Sequence, residues 1–378
     1  MSILTLPEFL QLFRAPKELT FREFLSTSQV RVNQHLRPLA SYIKDKKIPI
    51  QDLKLLFENI QQRNDYLTRF YNLSLTVTPE NLSFTSETPM KNKHFNNNQR
   101  LLSKNLIRNL HYADILQKTK SGIENNATYM DMLKDLYQKN IIDYKLLTPS
   151  ARHYMHEGRL GSVFSSYYFR ASIMNPFLVY SLQESLLKGT RIFTPTLGWT
   201  SYCYGFLESS QVVEYVGTDV IPSVCEKTKQ FARSHSPKTL TTIFCRPSEE
   251  LARSNAFRKR YMNHFDVVFF SPPYYRLELY AGEQQSTSQY SSYEEWLDKY
   301  WKATIELCHH VLQKGGKLCY ILSGYGSTKG KDEYDLLGDM NHITKQYFRL
   351  HSTQPMYNKD VYVNSHEPTT EKIMLFVK

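Results

Sequence analysis

The sequence predicts an α/β protein, a doubly wound and mostly parallel sheet of about seven strands preceded by an all-α N-terminal domain. Three observations carry this. Residues 1–145 place apolar side chains at helical spacing, and from residue 190 short β-rich runs alternate with helical windows. The last two β-rich runs lie close together and are joined by a loop. Alternation of this kind implies parallel strands with helices on both faces, and the closing pair implies an antiparallel hairpin at one edge. A chain of 378 residues exceeds the roughly 250–300 residues at which single cores stop growing, so two domains are expected.

Taken in order, Ile50, Leu53, Leu56, Phe57, Ile60, Leu67, Phe70 and Tyr71 recur at helical spacing with Gln, Asp, Lys and Arg between them. Similar stripes cover about 19–43, 98–120 and 127–141. A Pro/Ser/Thr/Asn-rich stretch over 76–98 reads as a long loop. The helical pattern lapses at Thr148-Pro149-Ser150, which sets the expected domains at 1–150 and 151–378. The β-rich runs are Arg191–Thr194, Val212–Gly217, Leu240–Cys245, Asp266–Phe270, Lys317–Leu322, Tyr347–Ser352 and Lys372–Val377. Helical windows at Ile221–Arg233 and Tyr293–Leu312 lie between them. Gly315-Gly316 reads as a turn before the fifth run, and Trp296 and Trp301 as core.

Charge and cysteine usage narrow the setting. There are 47 Lys+Arg against 36 Asp+Glu, a net charge of +11. Residues 1–150 carry 21 basic and 14 acidic side chains, and residues 151–378 carry 26 and 22. The excess is concentrated N-terminally, as on a surface that faces phosphates, although a generally basic, solvated surface gives the same figures. Five widely spaced cysteines without a CxxC pair argue against zinc and against a disulfide framework, and for a reducing, intracellular compartment, cytoplasmic or nuclear. Apolar runs fall well short of the roughly 18–20 residues of a membrane span. The first residues lack the basic n-region of a secretory signal. The Lys/Asn/Tyr-rich composition fits an AT-rich, viral genome.

The sharpest chemical signal is Ser271-Pro272-Pro273-Tyr274, directly after a strand that reads as buried. Two prolines past a strand make a stiff turn that lacks N–H groups and presents carbonyls. Ser271 Oγ and the Pro272 carbonyl can accept the hydrogens of an amino group, and Tyr274 can stack on the ring that bears it. Exocyclic amines are poor nucleophiles because their lone pair is delocalised into the ring. Hydrogen bonds that pyramidalise the nitrogen localise that pair and aim it, which is catalysis by orientation. An ordinary Pro-Pro turn is the competing reading.

Ser271-Pro272-Pro273-Tyr274 resembles motif IV of the S-adenosylmethionine-dependent DNA amino-methyltransferases, which methylate N4 of cytosine or N6 of adenine; serine at its first position resembles the cytosine branch. The resemblance covers about 160–378 and implies a Rossmann-like methyltransferase sheet. Phe169-Arg170 through Asn175-Pro176 resembles the N-terminal cofactor motif, implying cofactor contacts from Arg170 and Pro176. Thr194-Pro195-Thr196-Leu197-Gly198-Trp199 resembles the first strand–turn motif, which in phage and large-DNA-virus relatives often reads Asp-Pro-x-x-Gly-Trp-Gly. It implies that Thr194, Pro195, Gly198 and Trp199 bind S-adenosylmethionine. Asp219 resembles the acidic end of the second strand, where a carboxylate accepts the ribose hydroxyls, and Cys245 to Glu249 resembles the third motif, with Arg246, Pro247 and Ser248 against the adenine edge. Leu277 to Tyr280, Gln285-Ser286 and Tyr293 to Trp296 are also familiar from the family. The sequence departs from the pattern where Thr194 replaces the usual acidic residue and Thr200 the next glycine.

The resemblance implies methyl transfer to a base flipped from duplex DNA, without a metal, with Ser271, Pro272, Pro273 and Tyr274 catalytic. About 50 residues follow the fifth strand, so target recognition is expected in residues 1–150 or the loop over 275–292. Two alternatives stay open: a relative that binds nucleic acid or a partner without catalysis, favoured by Thr194 and Thr200, and methylation of an RNA base or a protein amide. No phosphate-binding GxxxxGK[ST] loop, GxSxG elbow or HExxH helix is present. His153 and His156, and the adjacent His309 and His310, lack partners suited to metal ligation.

Overall fold

The computed structural model describes residues 2–78, 82–122, 127–282, 284–323, 334–357 and 371–378. The chain divides into two compact units. One comprises Ile3–Thr76 and Tyr112–Ala171, the other Val77–His111 and Ser172–Lys378. The division therefore differs from a single boundary near 150: residues 77–111 go with the sheet, and the helical unit continues to 171.

The helical unit is built as its apolar spacing requires. Leu53, Leu56 and Ile60 form the buried stripe of helix α1, Ile50–Gln61. Leu67 and Phe70 do the same for α2, Arg63–Ser74. Thr128 caps α3, Tyr129–Gln138, by accepting the Asp131 N–H. The unit is not all helix, because the stripe expected over 19–43 is broken by a hairpin of β1, Gln29–Val32, and β2, His35–Pro38. Asn33 makes the turn in the left-handed region, at φ 56°. A third strand, β3, Ile141–Asp143, pairs parallel with β1.

In the other unit, seven strands form one sheet in the order β9-β10-β8-β7-β4-β5-β6. In chain order they are β4, Arg191–Thr194; β5, Glu214–Asp219; β6, Leu240–Cys245; β7, Phe265–Phe270; β8, Leu312–Leu322; β9, Arg349–Met356; and β10, Glu371–Val377. β4 to β8 run parallel, while β10 is antiparallel to both neighbours and places β9 at the edge. The observed α/β sheet matches the expected class and includes the closing antiparallel pair. The loop joining β9 to β10 lies outside the described residues, as do 79–81 of the loop expected over 76–98.

The central strands read as continuous apolar runs because both faces are covered; Phe265, Val267, Val268, Phe269 and Phe270 of β7 are all buried. Asp266 is the exception and fixes the register. Its carboxylate accepts the Thr190 and Arg191 N–H groups at 2.9–3.0 Å, pinning the start of β4 against β7. Between β4 and β7 the strand order reverses: the chain runs outward from β4 through β5 to β6, then returns across to β7. The crevice beyond the strand ends at such a switch point is where doubly wound sheets bind ligands.

Candidate active site

A cavity of about 200 Å³ opens at that switch point. The loop after β4, the end of β5, the turn after β6 and the turn after β7 all contribute to it, and so bring together Pro195, Gly198, Trp199, Asp219, Arg246, Pro247, Ser248 and Ser271 to Tyr274. Eleven of the fourteen expected site residues therefore line one cavity.

Three do not. The Arg170 guanidinium lies over the Tyr129 ring at 5.2 Å, within the helical unit. Pro176 is buried at the first turn of α4, Pro176–Leu182, where its missing N–H costs nothing. Thr194 is fully buried, its hydroxyl 2.7 Å from that of Tyr215. It shapes the inside of the sheet instead of facing the cavity. In the stretch that resembles the N-terminal cofactor motif, Ser172, Ile173 and Met174 reach the cavity.

The loop after β4 has unusual backbone geometry. Gly198, Trp199 and Thr200 are all left-handed, at φ 53°, 58° and 74°. A Cβ on Gly198 would lie 2.3 Å from the Tyr202 ring, so glycine is required there by conformation and by space. Tyr202 belongs to α5, Ser201–Leu207, and its hydroxyl accepts the Ser271 N–H at 3.1 Å. One ring thus ties the first loop to the turn after β7.

Around that turn the polar atoms are fixed. Ser271 Oγ donates to the Ile321 carbonyl at 3.1 Å. Having used its only proton there, the oxygen can act toward the cavity only as an acceptor, which suits an amine and not a carbonyl. Tyr274 is held through its hydroxyl, which accepts the Ser323 N–H at 2.8 Å and donates to Glu371 at 3.2 Å. Its ring orientation is therefore set before any ligand enters. Burial, with the Glu371 carboxylate beside it, pushes the Tyr274 phenol well above the ordinary range, so it remains protonated as a donor.

Asp219, at the end of β5, accepts the Leu197 N–H on one oxygen and the Ile221 N–H on the other, each at 3.1 Å. The Val220 N–H also bonds this carboxylate. Burial raises its carboxyl above the usual aspartate value, against these backbone hydrogen bonds. Ser248, which begins the short helix Ser248–Arg253, lies with its hydroxyl 2.8 Å from that of Thr304.

Sequence reasoning misses Tyr202 and Glu371 as site residues and gives no role to Glu278, whose carboxylate accepts the Ser172 N–H at 2.9 Å and the Tyr280 hydroxyl at 2.7 Å. Glu278 and Tyr280 do carry a signal, since both lie in the run directly after Ser271–Tyr274. Tyr202 and Glu371 carry none, because only the fold brings them to the cavity.

No protein-family model matches the chain, and no curated protein is similar to it in sequence. Among solved structures it is similar to TrmN from Thermus thermophilus, at 13% identity, with 54% of this chain and 48% of that one covered and a TM-score of 0.35. It thus spans about half the length of TrmN. It is also similar to the N-methyltransferase NodS from Bradyrhizobium japonicum WM9 in complex with S-adenosyl-L-homocysteine, at 11% identity, 53% and 82% coverage and a TM-score of 0.34. A third is the magnesium protoporphyrin IX methyltransferase ChlM from Synechocystis PCC 6803 with bound SAM, at 12% identity, 52% and 74% coverage and a TM-score of 0.34. Overlaps this low carry no argument about chemistry, which rests on this chain's own residues.

Proposed function

We propose that the protein is an S-adenosylmethionine-dependent DNA methyltransferase acting on an exocyclic amino group, N4 of cytosine in preference to N6 of adenine. The observation that carries this reading is the meeting, in one cavity at the switch point, of Ser271-Pro272-Pro273-Tyr274 with Asp219 and the Gly198–Trp199 loop.

The residues fit the cofactor. Asp219 offers its carboxylate to a diol, apolar Val220, Ile221 and Pro247 line the wall beside it for a flat ring, and Ser248 provides a polar atom at its edge. When bound, S-adenosylmethionine supplies a methyl group made electrophilic by its positive sulfur. The chain supplies orientation. Ser271 Oγ, an acceptor only, and the Pro272 carbonyl hold the two amino hydrogens of the flipped base and localise the nitrogen lone pair. Tyr274, fixed through its hydroxyl, stacks on the base. No strong general base is required, because the nitrogen's proton becomes acidic once the methyl is attached. The basic N-terminal region holds the duplex backbone.

Digestion of methylated substrate to nucleosides tests the reading. N4-methylcytosine from duplex DNA supports it in full, and N6-methyladenine supports the enzyme but reverses the base preference. Methyl groups confined to RNA or protein overturn the DNA assignment.

A further inference from the structure

The departure from the family pattern at Thr200 is the least expected feature of the first loop. A β-branched residue at φ 74° sits in a region that β-branched side chains rarely occupy and that glycine enters freely. Thr200 is fully buried, and it is Gly198 and Trp199, not Thr200, that line the cavity. Its hydroxyl is 2.8 Å from His111 Nε2 and 2.7 Å from the Thr228 hydroxyl. Thr228 in turn donates to the Val224 carbonyl at 2.7 Å, within α6, Pro222–His235.

Counting protons gives this relay a direction. Thr228 has used its only hydrogen on Val224, so it accepts from Thr200, and Thr200 therefore accepts from His111. His111 must carry a proton on Nε2. It closes the C-terminal end of the helix Ser103–Leu110, in the segment that packs with the sheet unit. Nearby, Lys227 of α6 donates to the Leu110 carbonyl at 2.6 Å, so two bonds fasten this segment to α6 and the first loop.

We infer that His111 is a positioning residue for the cofactor loop, holding Thr200 in the left-handed conformation that glycine would adopt unaided, so that Gly198 and Trp199 keep the shape the cofactor needs. The inference rests on the methyltransferase reading. The polar relay takes the place of the absent second glycine, and it reaches the loop from a segment about 90 residues upstream.

Calorimetric titration with S-adenosylmethionine tests it across Thr200→Val, Thr200→Gly, His111→Leu and the double variant His111→Leu/Thr200→Gly. Thr200→Val keeps the strain and loses both hydrogen bonds, and its affinity is expected to fall about tenfold or more. Thr200→Gly removes strain and anchor together and should stay within about threefold of wild type. His111→Leu should weaken binding about tenfold, and the double variant should restore it to within about threefold. A merely structural histidine would lower affinity equally in the wild-type and Thr200→Gly backgrounds. Unchanged affinity in Thr200→Val, or no recovery in the double variant, overturns the inference. If wild type itself takes up no cofactor, the methyltransferase reading has failed. Thermal unfolding of His111→Leu, Thr200→Val and the double variant His111→Leu/Thr200→Val then tests the relay alone: a double-variant loss smaller than the sum of the single losses supports it, and additive losses overturn it.

Discussion

The Ser271 hydroxyl is fastened to the Ile321 carbonyl and so is left as a pure acceptor toward the cavity. Replacing Ser271 with alanine is expected to lower kcat roughly 10–100-fold, the equivalent of one lost hydrogen bond of about 1–3 kcal/mol, while leaving the dissociation constant for S-adenosylmethionine unchanged. Single-turnover kinetics beside equilibrium titration would separate the two. Asp219 makes the opposite prediction. If Asp219 takes the ribose hydroxyls as proposed, Asp219→Asn should weaken cofactor binding at least about tenfold by exchanging one acceptor oxygen for a donor amide. Its stability effect has a definite sign. Burial raises the carboxyl in the folded state, so the neutral form is favoured there and wild type loses stability as pH rises from the ordinary aspartate range through the raised value. The melting temperature of Asp219→Asn relative to wild type should therefore climb with pH across that window. A difference that does not grow with pH above the ordinary aspartate range would contradict the burial of this carboxyl. Ser271 to Tyr274 are legible in the sequence because the residues are contiguous and follow an apolar strand. Tyr202, Glu371 and His111 are not, since each reaches the site only through tertiary contacts.

Among the elements, those with one dominant physical signal are the ones the sequence predicts well. Arg191–Thr194 and Leu240–Cys245 occupy the expected positions, since β-branched and aromatic runs between helical windows have few alternative fates in a doubly wound sheet. The hairpin Gln29–Pro38 reads as helix in the sequence because apolar residues on both sides continue the helical spacing, while the alternation of Val30 and Val32 spans only four residues. The expected helix Tyr293–Leu312 is interrupted by a wider turn at Leu297–Lys302. Trp296 and Trp301 are nonetheless fully buried there, with their indole N–H groups on Ser286 and Met340. The loop after β4 is the element whose geometry matters most. Gly198→Ala forces a Cβ into the left-handed region, at about 1–2 kcal/mol, and against the Tyr202 ring. Moving that ring disturbs the Ser271 N–H it accepts. The variant is expected to melt at least roughly 2–4 °C lower and to lose both cofactor affinity and kcat. Differential scanning calorimetry with the kinetic assay would check this, and a variant that binds cofactor normally would show that the loop does not shape the site.

For the whole molecule, composition and charge indicate two parts and a basic N-terminal region but cannot show that 77–111 leaves the helical unit to pack with the sheet. That segment is held by specific polar contacts, such as the Asn97 side-chain oxygen on the Asn175 N–H at 2.7 Å, and such pairs have no periodicity to read. Among the described residues no helix is long and apolar enough to cross a membrane. The net charge of +11 gives a further expectation. If phosphates are the partner, log affinity for duplex DNA should fall linearly with log salt. Fluorescence anisotropy over about 50–200 mM salt would measure the slope, and affinity insensitive to salt would remove duplex DNA as the ligand of the basic region. The proposed methylation is tested by transfer of a labelled methyl group from S-adenosylmethionine to unmethylated duplex DNA by wild type, Ser271→Ala and Tyr274→Ala. Label on DNA that falls in both variants is the predicted result; no label on DNA of several sequences, with no cofactor bound, would contradict it.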